Sequence, residues 1–157
     1  MLKSFLALAL ALSFFAPTAK AATAVGVADT ANFMGTQSAS ALFSNNNDWI
    51  QAMLNIQGVS GSFRFSVGGA YKFTVAGNNR AGFHIGPGLA LGTASDGAGG
   101  SNFGFAVVGM FGGHYTLFER LLLAVDAGPI LTINDGNVDF GIAPMGNLLG
   151  LSVHYLF

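Results

Sequence analysis

The strongest constraint on the fold of this chain is an alternation of apolar and small or polar residues with a period of two. In SFRFSVGGAYKFTV, residues 62–75, every second residue from Phe63 onward is large and apolar, except Gly69. The residues between them are small or polar and include Arg64 and Lys72. Successive side chains of a β-strand point to opposite faces, so the segment predicts a strand with one apolar and one polar face.

The same alternation recurs along most of the chain and predicts an all-β protein of eight strands. The predicted strands cover residues 23–28, 33–42, 49–57, 62–75, 81–92, 102–117, 121–133 and 138–157. Clusters of turn-forming residues separate them at 43–48, 58–61, 76–80, 93–101, 118–120 and 134–137. Within the last strand the alternation changes phase, which predicts a bulge near Met145, Gly146 and Asn147. If those three residues form a true turn instead, the strand count fails in the weak amino-terminal region.

The amino terminus has the three-part layout of a cleavable signal peptide. A cationic start, MLK, precedes the apolar run SFLALALALSFFA, and small residues stand at Ala19 and Ala21. A spanning helix needs roughly 20 apolar residues, and Pro17 and Lys20 end this run earlier. We therefore predict a signal peptide at 1–21, cleavage between Ala21 and Ala22, and one exported β-barrel domain at 22–157.

Composition decides which face of the strands is inside. A soluble sandwich or barrel buries its apolar face and covers the other with charge, yet only 8% of this chain is charged, while 52% is hydrophobic. No apolar run after residue 22 is long enough for a membrane helix. A closed barrel in lipid fits both facts, because apolar side chains then face the acyl chains and every backbone group is paired. The sequence thus predicts a transmembrane antiparallel up-and-down barrel.

Apart from Asp139, which lies beside the turn at 134–137, the charged and histidine residues within the predicted strands all fall on the inward face. They are Arg64, Lys72, His84, His114, Asp126 and His154. Because a charge in a confined interior needs a partner, Arg64, Lys72 and Asp126 are predicted to form an ion-pair network in the lumen. The three histidines lie on separate strands without the spacing of metal ligands, so neither a metal site nor a cofactor is predicted.

The chain resembles the bacterial outer-membrane β-barrel superfamily, and most nearly the small eight-stranded OmpA/OmpX-type barrels. The most specific part of the resemblance is the last strand, LSVHYLF, which ends on Phe157 with Tyr155 two residues before it. In that family a terminal aromatic strand of this kind is the signal read by the barrel assembly machinery. The resemblance implies residence in the outer membrane of a Gram-negative bacterium, among its lipids and lipopolysaccharide.

With an even number of strands, both termini of such a barrel lie on the periplasmic side. Every Trp and Tyr of the chain then falls near a periplasmic strand end, where amphipathic rings favour the interface. This predicts an aromatic belt of Trp49, Tyr71, Tyr115 and Tyr155.

Eight strands leave an interior just wide enough to be filled by side chains, which favours a plugged barrel with a structural or surface-interaction role. A narrow pore or a ligand-binding barrel remains the alternative. Lipid A-modifying enzymes also occur among such barrels, but the inward histidines and the absence of a His-x-Ser motif argue against an enzyme. The exported part carries four basic and seven acidic residues, which gives no sign of nucleic-acid binding. The sequence identifies no external partner.

Overall fold

A computed structural model of the chain describes residues 23–28, 38–59, 62–78, 80–95, 100–143 and 150–157. The predicted signal peptide, its cleavage site at Ala21 and Ala22, residues 33–37 and the predicted bulge at 145–147 lie outside these ranges. The described residues form nine strands. They are β1 (Thr23–Ala28), β2 (Ser38–Asn45), β3 (Asp48–Val59), β4 (Ser62–Gly77), β5 (Ala81–Ser95), β6 (Ser101–Leu117), β7 (Leu121–Asn134), β8 (Asn137–Ala143) and β9 (Gly150–Leu156).

The strands close into an antiparallel barrel with eight positions around the ring. Strands β1 to β7 pair in sequence order, and β9 closes the ring by pairing with both β1 and β7. Strand β8 shares the eighth position with β9, because both lie along the same edge of β7. The predicted all-β fold of eight antiparallel strands in a closed barrel is therefore confirmed, with the last predicted strand divided in two.

Several strands extend further than their apolar pattern. The predicted turn at 43–48 shrinks to Asn46 and Asn47, because Asn45 and Asp48 still pair across the hairpin. Likewise β5 reaches Ser95, which pairs with Ser101 and shortens the predicted loop at 93–101. Backbone ladders do not need apolar side chains, so polar residues beyond the alternating region continue the strands.

The two faces of the barrel wall differ as the alternation predicts. On β5, Phe83 is 68% exposed and Leu89 is 55% exposed on the outside, whereas His84 between them is 2% exposed and points inward. A small apolar cluster of Ala24, Leu42, Leu122 and Ala124 fills part of the interior. The outside of the sheet is thus apolar and the inside combines small, polar and a few apolar side chains. Among the described residues, no helix has the length and apolar character needed to cross a membrane.

The barrel has two mouths, which we name by the position of the chain ends. The terminal mouth holds Thr23, Phe157 and the β2–β3, β4–β5 and β6–β7 turns. The opposite mouth holds the β3–β4, β5–β6 and β7–β8 connections.

Candidate functional site

An ionic cluster lies inside the barrel and consists of Lys72 on β4, His84 on β5 and Asp126 on β7. Lys72 Nζ lies 2.6 Å from Asp126 Oδ2, and His84 Nε2 lies 2.5 Å from Asp126 Oδ1. The Lys72 and His84 side chains are almost completely buried, and that of Asp126 is 20% exposed. One carboxylate thus neutralises a buried ammonium and hydrogen-bonds a buried imidazole.

A glycine on the intervening strand lets the members of this cluster meet. Gly112 of β6 pairs with His84 on one side and with Asp126 on the other, so those two residues stand two strands apart at the same level. Adjacent strands are about 4.8 Å apart, so a side chain on the middle strand would block the contact. A Cβ at Gly112 would clash with the backbone oxygen of Val125 and would lie 2.6 Å from Asp126 Oδ1 and 2.9 Å from His84 Nε2. Both the β7 backbone and the ionic cluster therefore exclude a side chain at position 112.

A second polar cluster repeats this arrangement around Ser40. His154 Nε2 lies 2.8 Å from Ser40 Oγ, and Gln51 Nε2 donates to the same oxygen at 2.9 Å. Gly26 of β1 pairs with both Ser40 and His154 and stands between them. The alternation predicts that His154 points inward but does not reveal its contact with Ser40. Alternation along a strand gives the face on which each residue lies. The contact between Ser40 and His154 follows only from the register of β2, β1 and β9.

The third inward histidine, His114, links the ionic cluster to the terminal mouth. Its ring stacks on His84 with centroids 5.8 Å apart and meets the edge of Trp49 at 6.4 Å. Trp49 packs against the interior apolar cluster. The prediction that Trp49 belongs to an outer aromatic belt is therefore wrong: Trp49 shares the inward face of β3 with Gln51, two residues later.

The three tyrosines of the predicted belt do stand on the outer face at the terminal end. Tyr71 donates to Asp48 Oδ2 at 3.1 Å, while Tyr115 is 49% exposed and Tyr155 is 43% exposed. Arg120, which is fully exposed in the β6–β7 turn, donates to Tyr155 Oη at 2.9 Å, and this bond raises the pKa of Arg120. Tyr155 also meets Phe157, the other residue of the predicted assembly signal, edge-on at 5.7 Å. The lipid contact of this belt stays a prediction.

Arg64 does not join the predicted ion-pair network. It lies on β4 eight residues before Lys72, which corresponds to about 26 Å along a strand. Its side chain is exposed, and Asp126 pairs with Lys72 and His84 instead. The prediction that Arg64 forms an ion pair with Asp126 is wrong, because two residues on the inward face can lie at different heights along the barrel axis.

The terminal mouth opens into a cavity of about 680 Å³, which we call the terminal cup. Its lining includes a set of polar and aromatic side chains: Trp49, Thr74, Asn78, Arg80, His114 and Glu119. His114 is the most buried of these residues and Trp49 packs against the interior apolar cluster, so both lie at the inner end of the cup, whereas Arg80 and Glu119 are exposed at the rim. Among the described residues, neither rim charge has an ion-pair partner.

Two features of the described residues bear on metal binding and catalysis. They contain no group of three or more His, Cys, Asp or Glu side chains arranged to hold a metal ion. Ser40 and His154 have the contact of a nucleophile and its base, but both are buried, and His154 Nδ1 has no hydrogen-bond partner that would orient the ring. The lumen contains buried polar clusters that join side chains of different strands.

Comparison with known proteins gives two similar solved structures. Neisserial surface protein A (NspA) has 16% identity and a TM-score of 0.49, with 87% of this chain and 95% of that chain covered. Ail, the attachment invasion locus protein of Yersinia pestis, has 14% identity and a TM-score of 0.42, with 87% and 97% covered. No protein-family model matches the chain, and no curated protein matches it in sequence. The functional proposal therefore depends on the residues of the barrel itself.

Proposed function

We propose that this protein is a small β-barrel of the Gram-negative outer membrane, with a lumen filled by side chains and a role in envelope structure or surface interaction. The observation that carries the proposal is the inside-out distribution of residues on a closed barrel. Exposed outer positions include Val67, Phe73 and Leu89, while Lys72 and His84 are buried inside. In water this arrangement exposes apolar surface at a large cost, whereas in lipid it is the favourable one.

Barrel closure supports residence in a bilayer. The hydrocarbon core offers no hydrogen-bonding partners, so unpaired backbone groups there cost several kcal/mol each. The ring from β1 through β9 pairs neighbouring strands around the barrel and removes free sheet edges where it closes. The three outward tyrosines at the terminal end fit the headgroup level of the periplasmic leaflet.

The interior supports a plug better than an open channel. Leu122, His84 and His154 are fully buried large side chains, and the Lys72–Asp126 bridge crosses the lumen between β4 and β7. An eight-stranded barrel has room for little more than such side chains. We infer that the clusters brace the wall and that the protein is not an enzyme. The buried Ser40–His154 pair has no described carboxylate partner, which supports that inference.

The partners that follow from this proposal are those of the envelope. Outer-membrane lipids and lipopolysaccharide would cover the apolar outer face, and the barrel assembly machinery would read the last strand with Tyr155 and Phe157. Both residues are exposed at the terminal end, where a folding factor could contact them. An external partner would meet the connections at the opposite mouth, as loops positioned by a rigid scaffold commonly carry binding.

Two measurements test the proposal. Membrane fractionation of a Gram-negative host should recover the protein in the outer membrane, with slower gel migration after boiling as the closed barrel unfolds. Recovery from the soluble periplasm would contradict the proposal. Planar-bilayer recordings of refolded protein should show no channel conductance, because the clusters obstruct the lumen. Steady single-channel steps would indicate an open pore instead of a plugged lumen.

A further inference from the structure

We propose that the outer rim of the terminal mouth binds an anionic phospholipid by its phosphate group. The binding residues are Phe118, Arg120 and Tyr155, which we call the rim site. In the proposed membrane orientation this rim lies at the headgroup level of the periplasmic leaflet, so the surrounding bilayer supplies the ligand. That location rests on the proposed function, whereas recognition of the lipid depends on the rim site itself and can be measured in detergent.

The β6–β7 turn carries two large residues in a backbone conformation that suits neither. Phe118 has a φ of 52° and Glu119 a φ of 63°, and both values lie in the left-handed region. A Cβ makes this region unfavourable, and Gly, Asn and Asp tolerate it best. The other described residues with positive φ are of these three types: Asn46, Gly77, Asp135 and Gly136. Because backbone strain of this kind concentrates at sites that bind ligands, we infer that the side chains of this turn do more than complete a hairpin.

The turn sends its two charges to different sides of the barrel wall. Glu119 lines the terminal cup, whereas Arg120 does not. The guanidinium of Arg120 instead reaches Tyr155 Oη, 2.9 Å away on the outer face of β9. The backbone of Arg120 is fixed, because its N–H donates to the Leu117 carbonyl at 3.2 Å and its carbonyl accepts the Leu156 N–H at 2.7 Å. The positive charge of the turn is thus held on the outer rim.

The polar groups of the rim site are accessible hydrogen-bond donors. Arg120 is fully exposed and Tyr155 is 43% exposed. Among the described residues, the Arg120 side chain bonds to Tyr155 alone, so four of its five N–H groups remain for a ligand. The Tyr155 hydroxyl accepts that bond and keeps its own O–H for donation. A guanidinium beside a second donor complements phosphate oxygens and offers no carboxylate to an ammonium group.

Exposed aromatic rings beside these donors distinguish a lipid from a free anion. Phe118 is 86% exposed in the same turn, and Phe157 meets the edge of Tyr155 at 5.7 Å. Aromatic side chains favour the boundary between headgroups and acyl chains. A phospholipid whose phosphate meets Arg120 brings its glycerol and upper acyl carbons to this boundary. The rim site therefore has the same amphipathic character as its ligand.

A carboxylate on the outer face of the terminal end does not compete with the phosphate. Asp48 lies on β3, three strands from β9 around the ring. Its Oδ2 atom accepts the Tyr71 hydroxyl at 3.1 Å, and its Oδ1 atom accepts the Thr74 N–H at 2.9 Å. Both oxygens of Asp48 are thus engaged at a distance from Arg120. The charge around the rim site is positive, which favours an anionic lipid over a zwitterionic one.

Native mass spectrometry of the refolded protein, released from uncharged detergent micelles with added lipid, tests the rim site. Phosphatidylglycerol should bind more tightly than phosphatidylcholine with the same acyl chains, and diacylglycerol, which lacks the phosphate, should bind least. Arg120→Gln should weaken phosphatidylglycerol binding about fivefold, the upper end of the effect of an exposed ion pair. The matched control is Arg80→Gln, an exposed arginine of the same mouth that lines the cup, and it should leave the affinity unchanged.

A second variant, Phe118→Asn, separates lipid binding from folding. The β2–β3 turn carries Asn46 at a φ of 59°, so Asn suits the backbone at position 118. The variant should not lower the midpoint of urea unfolding, yet it should weaken phosphatidylglycerol binding because the aromatic contact is lost. A lower midpoint with unchanged affinity would contradict the assignment of Phe118 to the site.

Three results would overturn the proposal: equal affinities for phosphatidylglycerol and phosphatidylcholine, equal weakening by Arg80→Gln, or displacement of the lipid by inorganic phosphate at the same concentration. The last result would identify a site for a free anion. Slower gel migration after boiling confirms that each variant is folded before it is measured. These failures are separate from failure of the proposed function. A barrel that resides in the outer membrane without this lipid preference loses only the rim site, and a protein recovered from the soluble periplasm loses the proposed location, whatever it binds in micelles.

Discussion

Replacing Asp126 with Asn tests the energetic role of the ionic cluster. The change keeps the size of the side chain but removes its charge, which leaves the buried Lys72 ammonium without a counter-charge 2.6 Å away. Breaking a buried ion pair by removing one partner costs about 3–5 kcal/mol, because the other charge stays buried and uncompensated. The Asp126 side chain is 20% exposed, so we expect a value near the lower end, about 3 kcal/mol.

Equilibrium urea unfolding in lipid vesicles measures this cost, with Trp49 emission as the probe of the folded barrel. A matched control is Arg64→Gln, since that charge is exposed and lies about 26 Å from Lys72 along β4. We expect the control to change the free energy of unfolding by less than about 0.5 kcal/mol.

A double-mutant cycle measures the interaction energy between Lys72 and Asp126 separately from the effect of each single substitution. Lys72→Met combined with Asp126→Leu removes both charges, so the double variant should be more stable than the sum of the single losses predicts. Asp126→Asn within about 0.5 kcal/mol of the parent, or strictly additive losses, would refute the role given to the cluster.

Three further substitutions test the wall and the lumen. Gly112→Ala should cost about 1–3 kcal/mol in urea unfolding, because the new Cβ meets the backbone oxygen of Val125 as well as the ionic cluster, whereas Gly58→Ala, with no atom within 4 Å of the new Cβ, should be nearly neutral; equal effects would contradict this. Ser40→Ala should cost about 1–3 kcal/mol in the same assay by leaving two buried side chains without their shared partner, and an unchanged unfolding midpoint would count against the second cluster. Leu89→Arg, on the outer face at mid-strand, should cost about 2–4 kcal/mol in lipid vesicles, while a loss below about 0.5 kcal/mol would indicate a water-facing position.

The sequence predicted the fold well because its main determinant is local. Alternation along one strand assigns each residue to a face without any knowledge of the neighbouring strands, and this placed Lys72, His84 and Asp126 inside. The same parity, applied to Trp49, would have placed it beside Gln51 on the inner face. The prediction of the aromatic belt is wrong for Trp49 because it rests on the position of this residue near the strand end and not on the face to which its side chain points.

The clusters could not be predicted in the same way, since they depend on the register between strands. Ser40 and His154 are 114 residues apart in sequence and meet only because Gly26 stands between them in the paired strands. Arg64 and Asp126 share the inward face but lie at different levels, which alternation within a strand does not reveal. The inward-facing glycines are a sequence signal for such contacts. A glycine on one strand permits contact between the side chains that pair with it on the two neighbouring strands.

The central claim is that lipid contacts the apolar outer face, and lipid-phase quenching tests it most directly. The chain contains no cysteine, so Leu89→Cys or Glu119→Cys gives a single labelling site for an environment-sensitive fluorophore. In vesicles with brominated acyl chains, the label at Leu89 should emit as in an apolar medium and be strongly quenched, while the label at Glu119 in the exposed turn should be quenched weakly. Equal, weak quenching at both positions, with the barrel folded, would contradict the account.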